Sequence, residues 1–260
     1  VTFSLKSFWA FLVSVYEAFL EDRPLHHHDV REVILRQVFF TGLQAFRLVA
    51  MGALIIGVVT VAQSSAQLSR LGGSDALGPI LVGAFIRELG PLVTVVVVVA
   101  RSVSAIASEL SSMKANGEIE GLRAVGVSPL SYLVVPRVIS GAVSTLLLAI
   151  HFVWIAFAVG FVVAQFFVNM PFDRFYESII SSVSATDLFI FVIKTFTLGS
   201  LVFLLACYCG LRTSGTSFEI PQATTKAVVW SFMLSFGSQI VISGIYYLWL
   251  LQRSGLGGLL

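Results

Sequence analysis

Few side chains in this sequence are suited to chemistry, and most of those stand in apolar surroundings. Arg87 and Glu88 lie in residues 86–91, IRELGP, Lys194 lies in a second apolar run, and Gln239 lies in a third. Ionised groups at membrane depth are costly, and they usually face a cavity or one another. Pro91 has no N–H and crowds the carbonyl four residues back, that of Arg87, while Gly90 loosens the same turn. The sequence therefore predicts a helix break at Gly90 and Pro91, beside Arg87 and Glu88. Backbone groups freed in lipid need protein or water to bond. Two readings stand at this point. One is a polar gate or ligand-facing patch. The other is a helix boundary near the outer interface, with Arg87 snorkelling to headgroups. Arg101 would snorkel in the same way, and Lys194 would make an internal hydrogen bond.

The chain around these residues has 260 residues, 57% hydrophobic and only 12% charged. Its mean hydropathy is +0.94. Soluble domains carry about 25% charged residues, so the expected solvent is lipid and the expected fold is an all-α integral membrane protein. A net charge of +2, without a basic stripe, argues against nucleic acid as a partner. No phosphate-cradling glycine loop, zinc-protease pair, nucleophile elbow or His–Cys cluster is present. Nothing points to an enzyme acting alone, and no metal or cofactor is expected on this chain. Cys207 and Cys209 read as buried thiols, since that spacing on a helix cannot close an unstrained bridge. His151 reads as a hydrogen-bonded packing residue. Residues 25–29, LHHHD, read as a solvated turn, because three consecutive His point about 100° apart on a helix. No cleavable secretory signal is expected at the N-terminus.

Five segments meet the roughly 20-residue requirement of a membrane span: about 41–62, 89–108, 133–166, 187–210 and 226–250. The third exceeds that need, so it tilts or projects. Residues 1–40 form an interfacial and juxtamembrane region, and 41–260 the membrane domain. In the former, Phe3, Phe8, Trp9, Phe11, Leu12, Val15 and Phe19 give an apolar band with Lys6 and Glu17 off it. That is the pattern of a helix lying in the interface. Connections are expected at 63–77 and 211–223. In residues 169–186, Phe172, Phe175, Tyr176, Ile179, Ile180 and Val183 recur at helical spacing, predicting an amphipathic helix for a membrane surface or a partner. Ala100, Ser104, Ser108 and Ser112 form a small-residue face for close helix approach. With the N-terminus in the cytoplasm, that side holds Lys6, Arg23, Arg31, Arg36, Lys114, Arg123, Arg137, Arg212 and Lys226. The other side holds only Arg70, Arg87, Arg174 and Arg253. The bias favours this orientation, with the C-terminus outside.

Residues 109–130, ELSSMKANGEIEGLRAVGVSPL, interrupt the apolar pattern. Residues 113–125 are helix-compatible, and Pro129 should end or redirect that helix. A plain connection needs only about 4–6 residues. The extra length favours an ordered knob that docks into a soluble partner.

These residues also carry a resemblance. RELGPL at 87–92 and AR at 100–101 resemble the MlaE (YrbE) family of ABC-transporter permeases, which move lipids between bacterial membranes. So does the pattern E…MK…EIEGLRAVGVSPLSYLVVPRV from 109 to 138. GTS at 215–217, followed by ATTKAVV at 223–229, fits as well. The resemblance covers nearly the whole chain in order and spacing. It implies a homodimer of five-span bundles, each with an N-terminal interfacial helix, enclosing a phospholipid cavity in the bacterial inner membrane. The cavity would open toward the periplasm, under a ring of MCE-domain proteins. Residues 109–130 would be the coupling helix seated on a cytoplasmic ATPase, whose ATP and Mg²⁺ power the cycle. Glu118, Glu120 and Arg123 would make polar contacts there, with Met113, Leu122 and Val125 packing. Arg87, Glu88, Lys194 and Gln239 would line the cavity. The chain departs from the family in having Gly117 where Glu is frequent, Ser128 where Asp is frequent, and Gln239 where an acid is usual. The competing reading is a self-contained secondary transporter or channel using its own intramembrane charges. That class would show an internal repeat with two matching broken helices, and only one break is visible.

Overall fold

The computed structural model describes residues 5–21, 28–71 and 76–253. Every regular element among them is helical: α1 (Leu5–Glu21), α2 (His28–Leu71), α3 (Leu77–Val82), α4 (Gly90–Val98), α5 (Ser104–Ala115), α6 (Glu118–Ala124), α7 (Val135–Val168), α8 (Phe172–Ser182), α9 (Ala185–Leu211) and α10 (Ile220–Arg253). Five described stretches are long and apolar enough to cross a membrane: Gln37–Leu68, Leu77–Ala115, Leu130–Phe167, Ala185–Leu211 and Ile220–Gln252. In lipid, helices are the form that satisfies every backbone group within the segment. The expected connection at 63–77 is shorter than predicted, because α2 continues to Leu71 through a Ser- and Gln-rich stretch that is still helix-compatible. The helix also runs unbroken through residue 40. Of the LHHHD run, residues 25–27 lie outside the described residues, as do Phe3 and residues 254–260.

The predicted break at Gly90 and Pro91 is not a break. Leu77–Ala115 is continuous, with wide π-helical turns at Gly83–Leu89 and Val99–Val103. In the first, the N–H of Gly90 reaches back five residues to the carbonyl of Phe85. A wider turn shifts the preceding carbonyls away from the proline ring, so the helix absorbs Pro91 instead of ending. The same device recurs at Leu130–Val134, just before Pro136, where the N–H of Val135 bonds the carbonyl of Leu130.

Two compact units divide the chain. The first comprises Val1–Ala45, Val95–Thr145 and Phe196–Ser235, the second Phe46–Thr94, Leu146–Thr195 and Phe236–Leu260. In the first, helices approach through small residues. A Cβ on Gly210 would lie 2.8 Å from Leu110 Cβ, and Ser111 Oγ donates to the carbonyls of Ala107 and Gly210. The close approach therefore uses Ala107 and Ser111, and the predicted face of Ala100, Ser104, Ser108 and Ser112 stays half-buried or exposed. Part of the apolar band of α1 likewise packs on protein, while Trp9 of that band stays exposed. Phe8 and Val15 are buried, and Phe8 and Phe11 meet the Tyr208 ring edge-on. In the second unit, α3 lies so close to α8 that a Cβ on Gly78 would sit 2.2 Å from the Ser178 carbonyl oxygen. His151 stacks on Phe46 with ring centroids 3.9 Å apart, and its Nε2 has no hydrogen-bond partner among the described residues, contrary to the expected hydrogen-bonded role. Cys207 and Cys209 are free thiols.

Glycine contacts give a stability test. A Cβ on Gly141 would lie 2.2 Å from the fully buried ring of Phe203, whereas one on Gly121 would meet nothing within 4 Å. Gly141→Ala is expected to cost about 1–3 kcal/mol of unfolding free energy in detergent. Gly121→Ala, in a helix and unobstructed, should be neutral or stabilise by up to about 1 kcal/mol. Equal shifts for the two would contradict the α7–α9 packing.

Candidate functional site

The second unit holds a polar network inside its spans, built around the π turn before Pro91. Proline offers no N–H to the carbonyl of Arg87. Lys194 Nζ, from α9, donates to that carbonyl at 2.7 Å. It also meets Glu88 Oε2 at 3.2 Å and Ser243 Oγ at 2.7 Å. Glu88 Oε2 additionally accepts from Gln239 Nε2 at 3.0 Å and from Ser243 Oγ at 3.0 Å. Gln239 Nε2 lies 3.3 Å from the Glu88 carbonyl as well. The lysine side chain is only 2% exposed, and a buried ammonium persists only with partners of this kind.

A second ion pair stands next in the chain. Arg87 Nη2 donates to Asp187 Oδ2 at 3.2 Å, and Arg87 Nε lies 2.9 Å from Asp187 Oδ1. Tyr246 donates its hydroxyl to Asp187 Oδ1, and its ring lies 5.5 Å below the guanidinium. The two cations and two carboxylates cancel. Asp187 and Lys194 are seven residues apart on α9, and Gln239, Ser243 and Tyr246 follow at four and three residues on α10. Each set therefore presents one face. The four residues expected to line a cavity, Arg87, Glu88, Lys194 and Gln239, gather in one network, Lys194 and Gln239 each bonding Glu88. None of them is a lining residue of the apolar cavity nearby, because their polar groups are spent on one another and on Asp187. Asp187, Ser243 and Tyr246 were missed, although their helical spacing to Lys194 and Gln239 was available as a signal. An acid in place of Gln239 would put two carboxylates against each other. The neutral amide instead donates to Glu88, so Lys194 pairs with Glu88.

Ile86 and Leu188, the chain neighbours of Arg87 and Asp187, help line a cavity of about 600 Å³. The other walls come from α7, including Val153, Trp154 and Phe157, and from α8, including Phe175 and Ile179. The Trp154 indole and the Tyr176 hydroxyl are the only side-chain polar groups of the lining. Small-molecule sites occupy roughly 300–1,000 Å³ and are mostly apolar. The amphipathic face expected in residues 169–186 is split: Phe175 is buried and Ile179 and Val183 are half-buried against the protein, while Phe172, Tyr176 and Ile180 stay exposed.

In the first unit, residues 109–130 form a helical elbow instead of the single helix expected. α5 ends at Ala115, and Gly117 takes a left-handed conformation, φ 74°. Its N–H bonds the carbonyl of Lys114 at 3.1 Å. A side chain at this position would be strained, which gives Gly117 a backbone role. α6 then ends at Ala124, and Gly126 just beyond its cap is left-handed, φ 78°, before Pro129 is reached. The N–H of Gly126 bonds Arg123 O and that of Val127 bonds Leu122 O, both at 3.0 Å, the bonding of a Schellman cap. Ser128 Oγ accepts the N–H of Ser131 at 3.5 Å, a task an Asp could also perform. At the base of the elbow, buried Arg137 donates to Glu109 at 2.8 Å. Lys114 Nζ ties the elbow to the carbonyl of Leu211 at 2.7 Å. Of the six predicted docking residues, Glu118, Glu120 and Arg123 are exposed, Met113 and Leu122 half-buried, and Val125 74% exposed. Ile119, which was not singled out, is the α6 residue that packs into the unit, at 3% exposure. Nearby, Glu219 accepts both the N–H and Oγ of Ser214, and these bonds, the N–H foremost, hold its carboxyl below the usual range.

Long apolar helices pinned by ion pairs within their spans define a multi-pass membrane protein. The chain belongs to the MlaE permease family, whose model, described as Permease MlaE, matches residues 34–245. It is 27% identical over 215 residues to a probable ABC transporter permease protein of Rickettsia typhi, covering 83% of each chain. A probable ABC transporter permease protein of Synechocystis is 27% identical over 217 residues, 84% of this chain and 82% of that one. The chloroplastic protein trigalactosyldiacylglycerol 1 of Arabidopsis thaliana is 27% identical over 213 residues. That match takes in 82% of this chain but 61% of the Arabidopsis protein's length. This chain is thus the membrane-spanning, permease component of a transporter.

The ion-pair network makes a measurable claim. Lys194→Met leaves the Glu88 carboxylate without its cation and should cost about 3–5 kcal/mol in detergent unfolding. Glu88→Gln combined with Lys194→Met removes both charges and should recover part of that loss. A double variant no more stable than Lys194→Met would show that the charge pair does not govern the cost.

Proposed function

We propose that this chain is the permease subunit of an ABC transporter that moves phospholipid between the inner and outer membranes of a bacterium. The observation that carries the reading is the 600 Å³ apolar cavity whose lining includes the chain neighbours of the Arg87–Asp187 pair. Acyl chains suit such walls, since each CH₂ kept from water is worth about 0.8 kcal/mol. The relative named after a galactolipid supports a lipid cargo.

In this mechanism two copies of the chain enclose the lipid path, with N-termini in the cytoplasm and C-termini in the periplasm. A cytoplasmic ATPase, which holds the ATP and Mg²⁺, receives the elbow through Glu118, Glu120, Arg123 and exposed Val125. Closure of the ATPase pushes the elbow, and the Glu109–Arg137 clamp passes the push to α5 and α7. An MCE-domain ring in the periplasm takes the lipid onward. Arg87 binds the phosphate by exchanging the two oxygens of Asp187 for two phosphate oxygens, which present a similar bidentate acceptor.

Native mass spectrometry of the complex, extracted by a tag on this chain, tests the assembly. Two copies of the chain with an ATPase and bound phospholipid are expected. The chain alone, lipid-free and indifferent to ATP, would instead favour a self-contained transporter. Arg87→Ala should lower lipid transport at least tenfold while the complex stays assembled, and unchanged transport and lipid content would remove Arg87 from the mechanism.

A further inference from the structure

The first unit contains a second, open cavity of about 360 Å³, lined by α1, the elbow and the end of α9. It shares no lining residue with the apolar cavity. Its walls have two characters. Phe11, Ile119, Leu130 and Leu211 supply apolar surface. Lys114, Arg123 and Arg212 supply three cations against the single carboxylate of Glu120. A cavity with that imbalance is built for an anion, and its apolar half suits an anion attached to hydrocarbon.

The cations are only partly committed. Arg212 uses Nη1 for both its bonds, to Ser7 Oγ at 2.5 Å and to the Tyr208 hydroxyl, and it lies over the Tyr208 ring. Its Nε and Nη2 have no hydrogen-bond partner among the described residues. Arg123 has no side-chain partner among them either. Two guanidiniums with open donors on one cavity offer the kind of paired N–H bonds that a phosphate accepts.

The source of the phosphate follows from α1. Ser7, Phe11 and Ser14 line the cavity along one face of this helix. Trp9, Val13, Tyr16 and Leu20 form a different stripe, at spacings of four, three and four residues, and all are exposed. An exposed aromatic and aliphatic stripe on an amphipathic helix suits the headgroup layer of a bilayer. The cavity therefore sits beneath a helix fitted to rest among lipid headgroups.

We propose that this cavity binds the phosphate headgroup of an acidic membrane lipid, with Arg123 and Arg212 on the phosphate and Phe11 and Leu130 on the adjoining hydrocarbon. A lipid held there links α1, the elbow and α9 through one ligand. Acidic lipid in the surrounding leaflet then becomes a structural component of the elbow, independent of which lipid is cargo.

The test uses the full chain, delipidated in detergent, with fluorescent phosphatidylglycerol and phosphatidylcholine as probes. Phosphatidylglycerol should bind at least tenfold more tightly. Arg123→Gln and Arg212→Gln should each remove most of that preference. Ser14→Leu, which narrows the cavity without altering charge, should weaken binding as well. Thermal unfolding of the same samples checks folding. If Arg212→Gln does not fold, Arg123→Gln and Ser14→Leu, at exposed and half-buried positions, carry the test. Equal binding of the two lipids, or a preference unchanged in the folded variants, would overturn the site. Displacement of the probe by millimolar inorganic phosphate would assign the cavity to a water-soluble phosphate and overturn the lipid reading. Binding is read on this chain alone, so the result stands whether or not an ATPase partner is found.

Discussion

Pro91 cannot donate a hydrogen bond, and the carbonyl of Arg87 consequently needs another donor inside a membrane-spanning helix. Much of the second unit can be traced to that need. The helix widens into a π turn so that the proline ring fits, and Lys194 supplies the missing donor. A buried ammonium needs a counter-charge, which Glu88 provides from the next residue along. Gln239 and Ser243 complete the bonding of the carboxylate. Three spans are thereby locked by one backbone defect, where lipid offers no competing water.

The elbow solves a different problem with similar economy of parts. In the proposed transport cycle it must be stiff enough to transmit a push and yet stand clear of the apolar spans. Left-handed glycines end both of its helices, so its shape is set by backbone geometry and hydrogen bonds more than by a core. Ile119 anchors it, and the Glu109–Arg137 pair and the Lys114–Leu211 bond close its base. The result leaves Glu118 and Val125 exposed where a soluble partner would meet them, while Glu120 and Arg123 border the adjoining cavity.

The departures of this chain from the family pattern become intelligible as local physics. Gly117 occupies a backbone conformation that disfavours a side chain, and Ser128 bonds an N–H that an Asp could equally accept. Gln239 keeps a second negative charge away from Glu88 while still donating to it. Gly117 and Ser128 leave no unmet group, whereas Gln239 keeps its Oε1 buried without a hydrogen-bond partner among the described residues. Each redistributes a hydrogen bond or a conformational preference within the same framework.

The spans were legible in the sequence because an uninterrupted apolar run of that length is stable chiefly in lipid. So were the amphipathic character of α1 and α8 and the presence of a compact charged segment between two spans. The fate of Pro91 was not legible, since a proline in an apolar helix either ends it or is absorbed by a π turn, and the choice depends on whether a donor such as Lys194 can reach the freed carbonyl. Nor was the partner of each charge. Glu88 could have met Arg87, Lys194 or headgroups, and Asp187 drew no attention at the edge of its span. The small-residue face was misplaced by about one position because period alone does not say which side of a helix its neighbour lies on. Sequence by itself determined the number and order of the spans and the position of the charged elbow, because lipid solvation acts on each segment separately; their ends ran further, as in Leu77–Ala115. Only the tertiary structure decided which charges pair, which apolar faces close on cavities and which stay bare, because those outcomes depend on residues about 100 positions apart meeting at hydrogen-bond distance, as Arg87 meets Asp187 and Lys194 meets Glu88.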